Sequence, residues 1–202
     1  MVSILPAEKI NFSSTYSKFY NFSGKGYNQI KDELPEGIEV ACHNAADSCT
    51  ISGPAELVKD YVKELQDRKI FARTVNVSNI AYHSRYIKPA APKLLEYLKE
   101  VIPEPKLRSL KWISTSNVED NWNTDLAQYC SAEYHTNNLL SSVLFEEGCR
   151  HIPKSAICIE IAPHGLLQAI LKRSLGEKVV NIPLTNRTAE DPLNFLLQAV
   201  GK

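Results

Sequence analysis

The order of the patterns between residues 27 and 77 constrains the fold more than any other feature of the chain. Short strand-like runs rich in apolar and β-branched residues alternate with segments whose apolar residues recur at helical spacing. In chain order the patterns predict a helix, two strands, a second helix and a third strand, at Tyr27–Leu34, Ile38–His43, Cys49–Ser52, Ala55–Arg68 and Phe71–Val77. This order is the greater part of a ferredoxin-like β-α-β-β-α-β unit.

A complete unit of this kind needs one more strand, which has to come from residues 1–23. These residues are rich in Ser, Asn and Tyr and show no clear period, so they supply a strand poorly. We expect a weakly ordered N-terminus with one short strand around Lys18–Phe22. The predicted organisation is therefore an N-terminal segment at 1–23, a ferredoxin-like small subdomain at 24–78 and a second part at 79–202.

The second part has a different order of elements, in which predicted strands and helices alternate. Such alternation is typical of parallel strands joined by crossover helices, so it predicts an α/β layer. The run Ala156–Ile161 is almost continuously apolar and therefore predicts a strand buried on both faces. The other predicted elements are strands at Leu110–Thr115 and Val179–Ile182 and helices at Asn137–Cys149, Leu166–Ser174 and Pro192–Val200.

Composition excludes several classes of protein. Lys and Arg together number 23, as do Asp and Glu, so the formal net charge is zero and no basic excess indicates binding to nucleic acid or to an anionic membrane. The longest apolar runs are too short to span a bilayer, and Met1–Lys9 lacks a secretory leader. Five cysteines without a C-x-x-C pair argue against a disulfide framework or a metal site. We expect a cytoplasmic protein.

His83 is the residue with the clearest chemical potential. It lies after the strand at Phe71–Val77 and before a predicted helix at Arg85–Val101, for which Ser84 is a candidate N-cap. Imidazole titrates near physiological pH and is therefore the usual general base, and loops at the ends of elements often carry function. Position alone leaves a structural role open for His83. His43, at the end of a hairpin strand, is predicted to be structural or on the surface, and His164, in a turn before a helix, is predicted to cap that helix.

Several segments, taken in order, resemble one family. The resemblance runs from about Gly37 to about Leu184, and it is the ordered set of segments, more than any single one, that carries it. The segments are Ala41-Cys-His-Asn44, Thr50-Ile-Ser-Gly-Pro54, Ala81-Tyr-His-Ser84, Trp112-Ile-Ser-Thr-Ser116, Ser131-Ala-Glu-Tyr134, Asn137-Asn-Leu139 with Val143-Leu-Phe145, and Glu160-Ile-Ala-Pro-His164. The family that they resemble is the malonyl/acetyltransferase domain of animal-type fatty acid synthase, which is related to the acyltransferases of polyketide synthases.

The resemblance implies a fold and a reaction. The implied fold is an α/β-hydrolase-like large subdomain with an inserted ferredoxin-like small subdomain. The implied reaction moves acyl groups from coenzyme A to the phosphopantetheine arm of an acyl carrier protein, so acyl-CoA and the carrier are the substrates and neighbouring synthase domains are the partners, with no bound cofactor. His83 matches the catalytic base of the family, and the backbone carbonyl of Asn138 is expected to orient it.

One part of the family pattern is not found in this sequence. The family nucleophile is a serine in a G-H-S-x-G elbow, and no G-x-S-x-G occurs here. Ser174-Leu-Gly-Glu177 follows Lys172-Arg173 and ends a predicted helix, so it does not qualify. We therefore expect a fragment that has the base but lacks the nucleophile and is inactive alone. Two alternatives stay open, namely half of a split acyltransferase and a non-catalytic module that binds the carrier protein or a linker.

Overall fold

The computed structural model describes residues 17–23, 25–75 and 80–202. Its first part is an antiparallel sheet of four strands, joined by two helices. The strands are β1 (Ser17–Ser23), β2 (Glu39–Ala45), β3 (Ser48–Pro54) and β4 (Phe71–Val75), and the helices are α1 (Tyr27–Ile30) and α2 (Ala55–Asp67). The strand order is β4-β1-β3-β2, which is that of a ferredoxin-like unit.

The core of this unit lies between α2 and the sheet. One face of α2 is apolar and packs on the sheet. Its residues Val58 and Leu65 are fully buried, together with Ile51 of β3 and Ile30 of α1. Burying side chains of this size contributes roughly 1.5–3 kcal/mol each relative to leaving them exposed. The hydrophobic pattern of residues 27–75 was therefore sufficient to place both helices on the sheet.

The first strand of the sheet lies where the sequence supports a strand least. β1 spans Ser17–Ser23 and pairs with β3 on one side and β4 on the other. The short strand predicted around Lys18–Phe22 is therefore present, but the ferredoxin-like unit begins before residue 24, inside the segment that was predicted as a separate, weakly ordered N-terminus. The backbone ladders to two neighbours supply the order that the side-chain pattern does not indicate. The predicted junction between residues 78 and 79 lies outside the described residues.

The second part contains more short elements than predicted. After a 3₁₀ helix at Arg85–Ala90, its helices are α3 (Ala91–Val101), α4 (Asp125–Gln128), α5 (Ala132–Leu140), α6 (Phe145–Cys149), α7 (Gln168–Leu175) and α8 (Pro192–Val200). Its strands are β5 (Lys106–Leu107), β6 (Tyr129–Cys130), β7 (Val143–Leu144), β8 (Ile157–Glu160) and β9 (Val180–Pro183). β5 and β6 pair antiparallel, and β8 and β9 pair parallel.

Two of the predicted elements are wrong in detail. The strand expected at Leu110–Thr115 is absent. The backbone N–H of Trp112 donates to the Ser109 carbonyl at 3.0 Å, which closes a turn there, and Leu110 is fully exposed. The helix expected at Asn137–Cys149 is divided into α5, β7 and α6. Between them, β7 pairs in parallel with β2 and becomes the fifth strand of the ferredoxin-like sheet, so tertiary pairing overrides the local helical pattern.

The apolar run at residues 156–161 forms a strand, as predicted, but it is not buried on both faces. Ile157 and Ile159 of β8 are 65% and 59% exposed, and Ile161 is more exposed still. Side chains alternate between the faces of a strand, so Ile157 and Ile159 share one face. On the other face, Glu160 is buried and its carboxylate accepts the backbone N–H of Leu167 just before α7. The β8–β9 pair therefore has one open apolar face among the described residues.

Candidate active site

His83 lies at a bend between β4 and the 3₁₀ helix, and its backbone is in the left-handed region with φ of 57°. This conformation costs a residue with a side chain about 1–2 kcal/mol, and only Gly, Asn and Asp adopt it routinely. The N–H of His83 donates to the Leu139 carbonyl at 3.0 Å and so anchors the bend to α5. Strained backbone held by its surroundings is common at functional sites.

The imidazole ring is oriented by two backbone carbonyls. Nδ1 of His83 lies 2.9 Å from the carbonyl oxygen of Asn138 and 3.0 Å from that of Ser141. Because carbonyl oxygens only accept hydrogen bonds, these partners assign the ring proton to Nδ1. Nε2 then has a free lone pair and can accept a proton from a substrate or nucleophile. The contact expected between His83 and Asn138 is present, and Ser141 is a second acceptor that sequence reasoning did not identify.

Burial changes the protonation equilibrium of His83. The ring is half-buried, and this desolvation lowers its pKa from the ordinary 6.5, although the bonds to Asn138 and Ser141 act in the opposite direction. The neutral ring is therefore favoured at neutral pH. A neutral imidazole with its Nε2 lone pair free is the form that a general base requires.

The lowered pKa predicts how stability depends on pH. Between the pKa of folded His83 and the unfolded value of 6.5, the unfolded chain binds more protons, so the free energy of unfolding falls as the pH drops through this window and the His83 contribution levels off below the folded pKa. We expect the parent chain to lose more stability than His83→Asn between about pH 7.5 and about pH 5.5 in urea titrations. Equal losses in the two proteins would contradict the assignment.

The two acceptor carbonyls are themselves held by side-chain hydrogen bonds. Nδ2 of Asn138 donates to the Ser116 hydroxyl at 2.5 Å, and Nδ2 of Asn137 donates to the Ser116 carbonyl at 3.2 Å. The Ser141 hydroxyl donates to Oδ1 of Asn137 at 3.0 Å. Ser131 caps the start of the helix by accepting the N–H of Tyr134. We call the segment 138–141, which carries both acceptor carbonyls, the carbonyl cradle.

The hydroxyl next to His83 in sequence does not serve it as a nucleophile. The Ser84 side chain is almost fully buried, and its hydroxyl donates to the Ala81 carbonyl at 2.7 Å. Ser84 does occupy the N-cap position of the 3₁₀ helix, but its side chain accepts no capping hydrogen bond there. The predicted continuous helix from Arg85 begins as 3₁₀ because Pro89 lies inside its first turns, and α3 follows from Ala91.

The other two histidines of interest have different surroundings. His43 is buried, donates a hydrogen bond from Nδ1 to the carboxylate of Glu147 and stacks on Tyr27. Nδ1 of His164 is buried and has no hydrogen-bond partner among the described residues. The start of α7 is instead held by Glu160, whose two carboxylate oxygens accept from Leu167 and Gln168.

Within 17–23, 25–75 and 80–202, no group of three or more His, Cys, Asp or Glu residues is placed to hold a metal ion. In the same ranges, no helix has the length and apolar character that crossing a bilayer demands.

The ordered segments lie within the part of the chain that matches one known protein family. Residues 25–201 match the family described as "Acyl transferase domain". The chain belongs to the acyl transferase domain family. The match begins within the ferredoxin-like unit and continues through α8, so it contains both His83 and the carbonyl cradle.

Two fungal proteins illustrate how the family members relate to this chain. A reducing polyketide synthase of Alternaria brassicicola is 32% identical over 155 residues, which are 71% of this chain and 6% of that protein. Polyketide synthase 19 of Gibberella fujikuroi is 32% identical over 148 residues, which are 68% of this chain and 6% of that protein. The chain thus spans only about 6% of the length of these two relatives.

Solved structures show the same fold. The loading acyltransferase of the avermectin modular polyketide synthase superposes with a TM-score of 0.73 at 19% identity, covering 93% of this chain and 59% of that one. The malonyl CoA-acyl carrier protein transacylase of Clostridium perfringens superposes with a TM-score of 0.67 at 20% identity, covering 94% and 58% respectively. The predicted α/β fold with its ferredoxin-like unit is therefore confirmed, and this chain corresponds to part of an acyltransferase domain.

The family resemblance inferred from the sequence is confirmed at the level of the acyltransferase domain. The finer assignment to an animal-type fatty acid synthase is not confirmed, because the relatives described above are polyketide synthases.

Proposed function

We propose that this chain is the base-bearing part of an acyltransferase domain from a multidomain synthase, with the nucleophilic serine supplied by another segment. The observation that carries the proposal is the geometry of His83, whose Nδ1–H is directed to two carbonyls while Nε2 can accept a proton. The fungal relatives favour a polyketide synthase over an animal-type fatty acid synthase. Acyl-CoA and an acyl carrier protein with its phosphopantetheine arm are the proposed substrates, and neighbouring synthase domains are the proposed partners.

In the proposed reaction, His83 moves one proton in each half of a double displacement. Nε2 of His83 takes the proton from the serine hydroxyl as its oxygen attacks the thioester carbonyl of acyl-CoA. The C–S bond then breaks, and the same proton passes from the imidazolium to the departing thiolate. In the second half, the pantetheine thiol of the carrier gives its proton to Nε2 while its sulfur attacks the carbonyl of the serine ester. The ester C–O bond then breaks, and the imidazolium returns the proton to the serine oxygen, which leaves free serine and an acyl thioester on the carrier.

The open face of the β8–β9 pair supports the proposal that a second segment completes the domain. Parallel strands occur almost only in sheets covered on both faces, yet Ile157, Ile159 and Val180 are exposed here. Exposed apolar area of this kind marks an interaction surface. This chain covers 59% of the avermectin acyltransferase with the same fold, which leaves a substantial part of a domain to occupy that face.

A reconstitution experiment tests the proposal. The chain is mixed with a polypeptide that carries the G-x-S-x-G part of an acyltransferase domain, and radiolabelled malonyl-CoA is added. We expect a serine-linked malonyl group on the second polypeptide, followed by transfer to the phosphopantetheine arm of a carrier protein. We expect no label when either polypeptide is used alone.

Two results would overturn the proposal. Label on a serine of this chain alone would show that its nucleophile is internal. If the two polypeptides formed a complex that stayed unlabelled, and the chain bound the carrier protein in a titration, a non-catalytic carrier-binding role would replace the proposed one. The titration is therefore run in parallel with the labelling.

A further inference from the structure

A hydrogen-bonded His–Glu pair, in which the histidine is buried and the glutamate is partly exposed, joins the ferredoxin-like sheet to the segment after the carbonyl cradle. His43, on β2, is 6% exposed, and its Nδ1 lies 2.7 Å from Oε1 of Glu147 on α6. The ring of Tyr27 stacks on the imidazole with a centroid separation of 3.9 Å and an interplanar angle of 19°. The pair is therefore held in one geometry by a packed aromatic ring, unlike most ion pairs at a protein surface.

The Glu147 carboxylate depends on His43. Burial opposes its ionisation, yet the hydrogen bond from His43 and a backbone N–H hold the pKa of Glu147 below its usual range. Its second oxygen, Oε2, is buried and has no hydrogen-bond partner among the described residues. Loss of His43 would leave this partly exposed carboxylate without its side-chain hydrogen bond, which costs stability.

The chain between Glu147 and the cradle is short and is fixed at each step to β2. Ser141, whose carbonyl accepts from His83, is followed by Ser142, whose hydroxyl donates to the Val40 carbonyl at 2.5 Å. β7 comes next and pairs in parallel with β2, so that His43 lies opposite Leu144. Glu147 lies in the first turn of α6, directly after this strand. His43 and Glu147 therefore close the end of a two-strand ladder that begins at the cradle.

We propose that His43 and Glu147 are positioning residues, which fix β7 on β2 and thereby hold the carbonyls that orient His83. Neither residue contacts the imidazole of His83 in this assignment, and both act through the ladder. The hydrogen bonds of Ser116 hold the same cradle from the side of α5, so loss of the pair loosens the cradle without removing it. The importance of the His43–Glu147 pair for catalysis rests on the proposed function of His83. The effect of the pair on the orientation of the His83 ring does not depend on that function.

The His83 Nδ1–H proton measures the effect directly, because its exchange with water requires the cradle to open. We expect Glu147→Ala to raise the exchange rate about tenfold, because the substitution removes the charge-assisted hydrogen bond that joins α6 to β2. Glu147→Gln retains an acceptor oxygen and should give an intermediate rate. Nitrogen NMR of the same ring should show a larger share of the other tautomer in Glu147→Ala.

The chain offers a matched control in a second His–Glu pair. Nε2 of His151 lies 3.4 Å from Oε2 of Glu119, and this glutamate is well exposed. Glu119→Ala should leave the His83 exchange rate and tautomer unchanged. If Glu147→Ala fails to fold, Glu147→Gln decides the question by itself, with a rise of about threefold expected because a charge-assisted hydrogen bond becomes neutral.

Unchanged His83 exchange and tautomer in a folded Glu147 variant would overturn the proposal. An equal response to Glu119→Ala would do the same, because the effect would then be general destabilisation. The readout needs no second polypeptide. If the Glu147 variants alter the His83 signals but reconstitution fails, the positioning role is retained and the proposed function is rejected. If reconstitution succeeds but the His83 signals are unchanged, only the positioning role is rejected.

Discussion

His83→Asn is expected to lower the acyl-transfer rate of the reconstituted enzyme by about 10²- to 10⁴-fold, the usual contribution of a general base. Asparagine suits this test because it adopts the left-handed backbone at φ of 57° with little strain. Its side-chain N–H can also donate to the carbonyl cradle, but it has no group that accepts the serine proton. Steady-state transfer from malonyl-CoA to the carrier protein measures the loss.

His151→Asn is the matched control for this prediction. His151 is paired with Glu119 outside the cradle, so the same chemical change should leave the transfer rate within about twofold of the parent, since surface substitutions have small effects. Urea unfolding of both variants shows whether their folds are equally stable. If the two variants lost activity equally, or if His83→Asn kept the parent rate, His83 would not be the base.

Ile159→Lys is expected to weaken association with the serine-bearing polypeptide by roughly 10- to 100-fold. Full burial of an isoleucine side chain is worth roughly 1.5–3 kcal/mol, and a lysine placed there has to be desolvated as well. The substitution lies on the open face of β8, so the chain alone should fold as the parent does and become more soluble. Calorimetric titration of the two polypeptides gives the change in Kd.

Val101→Lys is the control for the open face. Val101 is also an exposed apolar residue, but it lies at the end of α3, where a positive charge is favourable. The proposed docking face predicts unchanged affinity for this variant. Similar loss from both substitutions would show that added charge, and not the covered face, weakens association.

Much of the fold follows from the sequence because local and tertiary preferences agree in the ferredoxin-like unit. The apolar residues of α2 recur at helical spacing, and those of the hairpin before it are typical of strands, as in the structure. The helix α8 has the predicted bounds, Pro192–Val200. Agreement fails where pairing partners are distant. Val143 and Leu144 fit a helical stripe, yet the edge of β2, about a hundred residues away in the chain, pairs with them as a strand.

The candidate site was predictable only in part for the same reason. The position of His83 between a strand and a helix indicated a chemical role, and the family resemblance supplied Asn138. Ser141 could not be identified, since a backbone carbonyl carries no signature in the side chain that bears it. The exposure of Ile159 was equally hidden, because an apolar run predicts burial without showing which polypeptide covers it.

The position of β1 has a consequence for how short this polypeptide can be made. The family match begins at residue 25, but Ser17–Ser23 form the strand between β3 and β4. A truncation at the start of the match would detach β4 and turn the inner side of β3 into an unpaired edge. Unpaired strand edges of this kind pair with strands of other molecules, so we expect the shortened polypeptide to oligomerise.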